Sequence, residues 1–95
     1  MADFIFLTHA HDAEDGDWGA YIARLNAAGV FRGGSAMGDG VCVRKVGHAP
    51  AITAHLGGYI KIEADDLEHA QKYLAGHPTY ESGGVVEIRE LPETD

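Results

Sequence analysis

Leu56-Gly57-Gly58-Tyr59-Ile60-Lys61-Ile62-Glu63-Ala64 leads directly into Asp65-Asp66-Leu67-Glu68, and the chain then passes Gly76-His77-Pro78, Glu81 and Gly83-Gly84 before Val86-Glu87-Ile88-Arg89-Glu90-Leu91. The first nine residues alternate as a strand does. Asp65 with Glu68 three positions later has the form of a capping box, and Leu67, Ala70, Tyr73 and Leu74 recur as the buried stripe of a helix. Gly76 suits the residue after a helix, and His77-Pro78 prevents continuation. Val85 to Leu91 supplies a closing strand before a polar tail, Pro92 to Asp95. Strand, capped helix, polar corner and strand therefore follow in order.

The N-terminal half has a similar plan. Asp3 to His9 is a strand whose faces are Phe4/Phe6/Thr8 and Ile5/Leu7/His9, both largely apolar. A sheet with helices on one side needs only one oily face, so this strand predicts burial on both sides, with a second subunit, ahead of a loop of its own chain, as the outer cover. An acidic stretch from His11 to Asp17 precedes a helix carrying Trp18, Tyr21, Ile22, Leu25 and Ala28 at helical spacing and ending at Gly29. Glu14, Asp15 and Asp17 suit the positive end of its dipole. Val30 to Met37 is a short strand interrupted by Gly33-Gly34. Asp39-Gly40 then predicts a turn into a second strand, Val41 to Val46, as a hairpin. Gly47 to His55 is a loop or a further irregular hairpin, since Pro50 is unsuited to a central strand. The order is that of a ferredoxin-like split βαβ domain: an α+β fold with an antiparallel sheet, two helices on one face and an extra hairpin.

Composition narrows the function. The 95 residues form one small domain, 1–95, at a size where dimerisation helps stability. Seven basic against fifteen acidic residues give a net charge of −8, which disfavours nucleic acid and anionic membrane surfaces. No run of about 20 apolar residues spans a bilayer, and Met1-Ala2-Asp3 lacks the basic start of a secretory signal, so a cytoplasmic protein is expected. The single cysteine, Cys42, reads as a small apolar core residue within Val41-Cys42-Val43.

In this topology the end of the first strand (His9, His11, Asp12), the start of the Leu56 strand (His55) and the corner after the second helix (His77, Glu81) meet at one edge of the sheet. Four of the six histidines fall there, with His48 on the neighbouring loop. Groups that titrate near neutrality, gathered in one place, mark a candidate site. Each also has a structural explanation. His9 could be satisfied by a backbone carbonyl at a strand end, His77 could cap carbonyls at the helix end, and Glu81 could hold the corner through a backbone hydrogen bond. His9-x-His11 with Asp12 is a weak metal motif, no zinc spacing is matched, and neither double glycine has a phosphate-loop spacing. No metal or cofactor is therefore expected.

The segments "GGY", "GHP" and "VEIREL", together with Gly29-Val30 and Arg32-Gly33-Gly34, resemble the YCII-related and DGPF group of small dimeric α+β barrel proteins. The DGPF signature itself is absent: Gly47-His48-Ala49-Pro50 to His55 stands in its place. The resemblance implies a homodimer through the sheet face. It also implies kinship with muconolactone-isomerase-like and dehalogenating enzymes that look to use a His/Asp pair for proton transfer. Two readings follow. One is a cofactor-free acid/base enzyme, of isomerase, lyase or dehalogenase type, on small acidic or lactone substrates. In it His9, His55 or His77 moves the proton, Asp12 or Glu81 sets the tautomer, and Arg32 and His48 bind the ligand. The other is a non-catalytic dimer that binds a small ligand or a protein.

Overall fold

The computed structural model of the protein describes residues 2–10 and 16–93. Seven elements follow one another: β1 (Ala2–His9), α1 (Trp18–Ala27), β2 (Phe31–Ala36), β3 (Leu56–Ala64), α2 (Leu67–Lys72), α3 (Pro78–Glu81) and β4 (Val86–Leu91). The strands form one antiparallel sheet in the order β2-β3-β1-β4, the split βαβ arrangement expected from the sequence.

Period-two alternation decides which side chains meet the helices. Phe4, Phe6 and Thr8 of β1 and Ile60, Ile62 and Ala64 of β3 are buried, while the residues between them are half-buried. Tyr21 and Leu25 of α1 and Ala70 of α2 complete the core, with Trp18, Ile22, Tyr73 and Leu74 packed around it. The Tyr21 hydroxyl donates to the Tyr73 carbonyl at 2.7 Å, tying α1 to the end of α2. Burial pushes the Tyr21 phenol well above its ordinary pKa. The opposite face of the sheet pairs Ile5 with Lys61 and Arg89, and Leu7 with Tyr59 and Glu87. The outer face is thus an apolar spine on β1 flanked by Lys61, Arg89, Glu87 and Tyr59, and is less oily than β1 alone suggests.

Local signals explain both ends of α1. Asp17 is its N-cap, accepting from the Ala20 amide at 3.0 Å. At the other end Gly29, at φ 77°, lets its own amide reach the Asn26 carbonyl and the Val30 amide reach that of Leu25, a Schellman closure. Glu14 and Asp15, expected beside this cap, lie outside the described residues.

Three expectations are corrected. The cap of α2 is Asp66, accepting from the His69 amide at 2.7 Å, while the Asp65 amide donates to His69 Nδ1 at 3.0 Å. The imidazole takes the part expected of Glu68, and the helix starts one residue later. That shift leaves Leu67 about half exposed, not in the stripe. Val41 to Val46 is not a strand: the chain folds back on itself, with Cys42 Sγ 3.7 Å from the Ala51 carbonyl and Arg44 bonded to the His48 carbonyl, but forms no ladder. Pro50 lacks a donor and Gly47 is left-handed at φ 88°, which disrupts the limb opposite the valines. Cys42 consequently lies half-buried in this segment and not in the core.

Phe6→Ala is expected to cost about 3–5 kcal/mol and Asp17→Ala about 1 kcal/mol, read from urea unfolding. Equal costs would contradict the placement of Phe6 in the core.

Candidate functional site

The sheet's regular alternation breaks at one place. Thr8 pairs with Gly58 but His9 pairs with Leu56, so Gly57 is an extra residue in β3. Such a bulge re-aims the side chains beside it. Thr8, buried in line with Phe4 and Phe6, and His9 both contribute to the wall of one cleft at this strand end. A Cβ on Gly57 would meet Ala10 at 3.6 Å, an ordinary contact, whereas one on the neighbouring Gly58 would lie 3.1 Å from the Ser35 carbonyl, where only a glycine sits without displacement.

The cleft has a volume of about 320 Å³. Thr8 to Ala10 of the β1 end, Trp18 and Ile22 of α1, Gly34 to Ala36 of β2 and Gly57 to Ile60 of β3 line it. Its wall is mostly apolar, and among the described residues no Arg or Lys lines it.

His9 stands at this end of the sheet with two partners. Its Nε2 lies 3.4 Å from Glu87 Oε1, and its ring meets His55 edge-on with centroids 4.7 Å apart. His55 is held beside it because the Ala10 amide donates to the His55 carbonyl at 2.6 Å. Glu87 also accepts from Arg89 Nε at 2.8 Å. Arg89 first, and His9 second, hold the Glu87 carboxyl below its ordinary pKa. The Glu87 side chain keeps about 37 % of its accessible surface, so this pair orients the imidazole more than it stabilises the fold.

His77 occupies the other side of the cleft wall. Its ring is fully buried, 4.9 Å from Trp18 and 5.1 Å from Tyr21 between centroids. Nδ1 accepts from the Tyr80 amide at 3.4 Å, capping the start of α3 and not the end of α2. That acceptor role leaves the proton on Nε2, which faces Thr8 Oγ1 at 3.5 Å. His77 therefore reaches the cleft through Thr8 and Trp18.

The remaining sequence candidates are dispersed. Glu81 is exposed and accepts from the Gly76 amide at 2.8 Å, holding the corner. Arg32 lies at the far end of the sheet, where β2 begins, bonded to the Gly29 and Phe31 carbonyls and 3.3 Å from Glu63. His48 is exposed on the 37–55 segment, its carbonyl accepting from Arg44. Asp12, with His11, lies outside the described residues. Among the described residues no three His, Cys, Asp or Glu side chains gather as a metal site. Sequence reasoning missed Glu87 and Thr8 as site residues. The antiparallel pairing of β1 with β4 was the available signal for Glu87, since it sets the start of β4 beside the end of β1.

Fold and cleft together define a small ferredoxin-like α+β protein with a histidine-bearing pocket at one end of its sheet. The chain belongs to the YCII-related domain family, which matches residues 5–94. Comparison with curated proteins and with solved structures returns no match. Among the described residues no helix is long and apolar enough to cross a membrane.

A carboxylate whose folded pKa is depressed adds stability above the ordinary carboxylate range and loses it as pH falls through the depressed value. Carbon-detected NMR should therefore show Glu87 titrating below a model glutamate. Arg89→Ala should move that midpoint up further than His9→Ala does. The reverse order would contradict the geometry of the pair.

Proposed function

We propose that this protein is a cofactor-independent acid/base enzyme acting on a small cyclic carbonyl compound, with His9 as the proton-transfer group. The observation that carries the reading is His9, paired with Glu87, in the wall of an apolar cleft of single-ring size. Glu87 engages Nε2, which leaves Nδ1 to take a proton from carbon. Thr8 supplies the complementary group. Its oxygen accepts from His77 Nε2, so its own hydroxyl proton is available to a carbonyl oxygen as negative charge develops there. His77 acts in this scheme as a positioning residue.

The absence of Arg and Lys from the cleft wall among the described residues, and the net charge of −8, favour an uncharged substrate such as a lactone over a free carboxylate. Arg32, bound to Glu63 at the distant end of the sheet, has no part in it. The working unit in this reading is a homodimer through the outer sheet face, where Ile5 and Leu7 form a half-buried apolar spine. Its compartment is the cytoplasm, where a lone thiol such as Cys42 persists.

The test is solvent exchange at carbon, followed by NMR in D2O on a panel of unsaturated and saturated lactones. Exchange is expected with at least one of them, falling about 100-fold or more in His9→Ala and in Thr8→Val. A lactone that shifts the Trp18 signals without exchanging would make the protein a non-catalytic binding module. Exchange that survives His9→Ala would remove His9 from its role.

A further inference from the structure

The 37–55 segment makes little use of its own chain. Residues 38–54 form no backbone-to-backbone hydrogen bond with each other or with any other described residue. Three valines on it, Val41, Val43 and Val46, are 79 %, 84 % and 79 % exposed. Surface valines are ordinary singly, but three within six positions of unladdered chain make this limb unusually apolar for exposed chain. The molecule is correspondingly spread out. Its radius of gyration is 14.8 Å, and its extents are 46 × 39 × 19 Å. A compact chain of this length would have a radius of about 12 Å.

Charge indicates what this arm fits. Arg44 and Lys45 are two of the chain's seven basic residues, whereas Asp39 is the arm's only carboxylate among the chain's fifteen. A basic, valine-bearing arm thus springs from a strongly acidic body. Both its ends are fixed at the cleft end of the sheet, with the Met37 amide on the Gly57 carbonyl and the Ala10 amide on the His55 carbonyl.

We infer that the arm is a clasp between subunits: the Val41 to Val46 limb lies across the acidic body of a second copy of this chain and pairs its unladdered backbone there. This rests on the homodimer reading and adds to it. The sheet faces supply one contact, and the arms, rooted beside each cleft, supply a second. The valines give the contact its strength and the opposite charges its orientation. Unpaired backbone groups along the limb make strand addition the natural mode.

The test introduces p-benzoylphenylalanine in place of Val43 in the full chain, mixes ¹⁴N- and ¹⁵N-labelled protein, irradiates, and maps the cross-linked peptides. Sedimentation of the Val41→Ser/Val43→Ser/Val46→Ser variant accompanies it. Cross-links joining the two isotopic pools are expected, onto peptides rich in Asp and Glu. The triple variant should keep its far-UV circular dichroism and dimerise at least about 1,000-fold less tightly, the effect of losing the burial of three valine side chains. A dimer that cross-links only within one chain overturns the clasp and leaves the sheet-face dimer standing. Unchanged dimerisation of the triple variant also overturns it. A chain that sediments as a monomer at every concentration overturns both.

Discussion

The site depends on how β1 is held. As a central strand it pairs with β3 on one side and β4 on the other, so both its edges are fixed and its alternation is set by the packing of Phe4 and Phe6 against the helices. One added residue, Gly57, breaks the register only at the strand's end. Beside the break, Thr8 and His9 both border one cleft. The rigid part of the sheet anchors the chain, and the irregular part aims it.

The same framework divides the histidines by task. His77 is enclosed by aromatic rings, gives one nitrogen to the start of α3, and turns the other to Thr8. Such a ring is a fixed structural donor whose reach into the cleft is indirect. His9 keeps a quarter of its side-chain surface, has a carboxylate on one nitrogen and leaves the other for chemistry. Two imidazoles with different burial and partners can thus serve one small pocket in different roles. The mostly apolar wall around them raises the worth of each properly placed polar group.

How much of this was legible in the sequence follows from what each signal measures. Periodicity and glycine placement identified β1, α1, β3 and β4, because those elements bury a face and end at residues with unusual backbone freedom, such as Gly29. Topology then brought His9 and His55 to one edge, where their rings do meet. Val41 to Val46 looks like a strand because β-branched residues suit one, but propensity is silent about whether a partner strand exists. The cap of α2 fell one residue later because His69 can accept a hydrogen bond as Glu68 can. Arg32 was grouped with the histidines on chemistry alone, although its strand starts at the far end of the sheet. Glu87 was hidden for the converse reason: nothing local marks it, and only the β1–β4 register brings it to His9.

The tautomer of His9 tests the central claim most directly. Long-range ¹H–¹⁵N NMR of the deprotonated ring reads which nitrogen carries the hydrogen. Nε2–H, directed to Glu87, with Nδ1 bare, is the expected form, with a weaker preference in Glu87→Gln. A ring protonated at Nδ1, or one indifferent to that substitution, would contradict it.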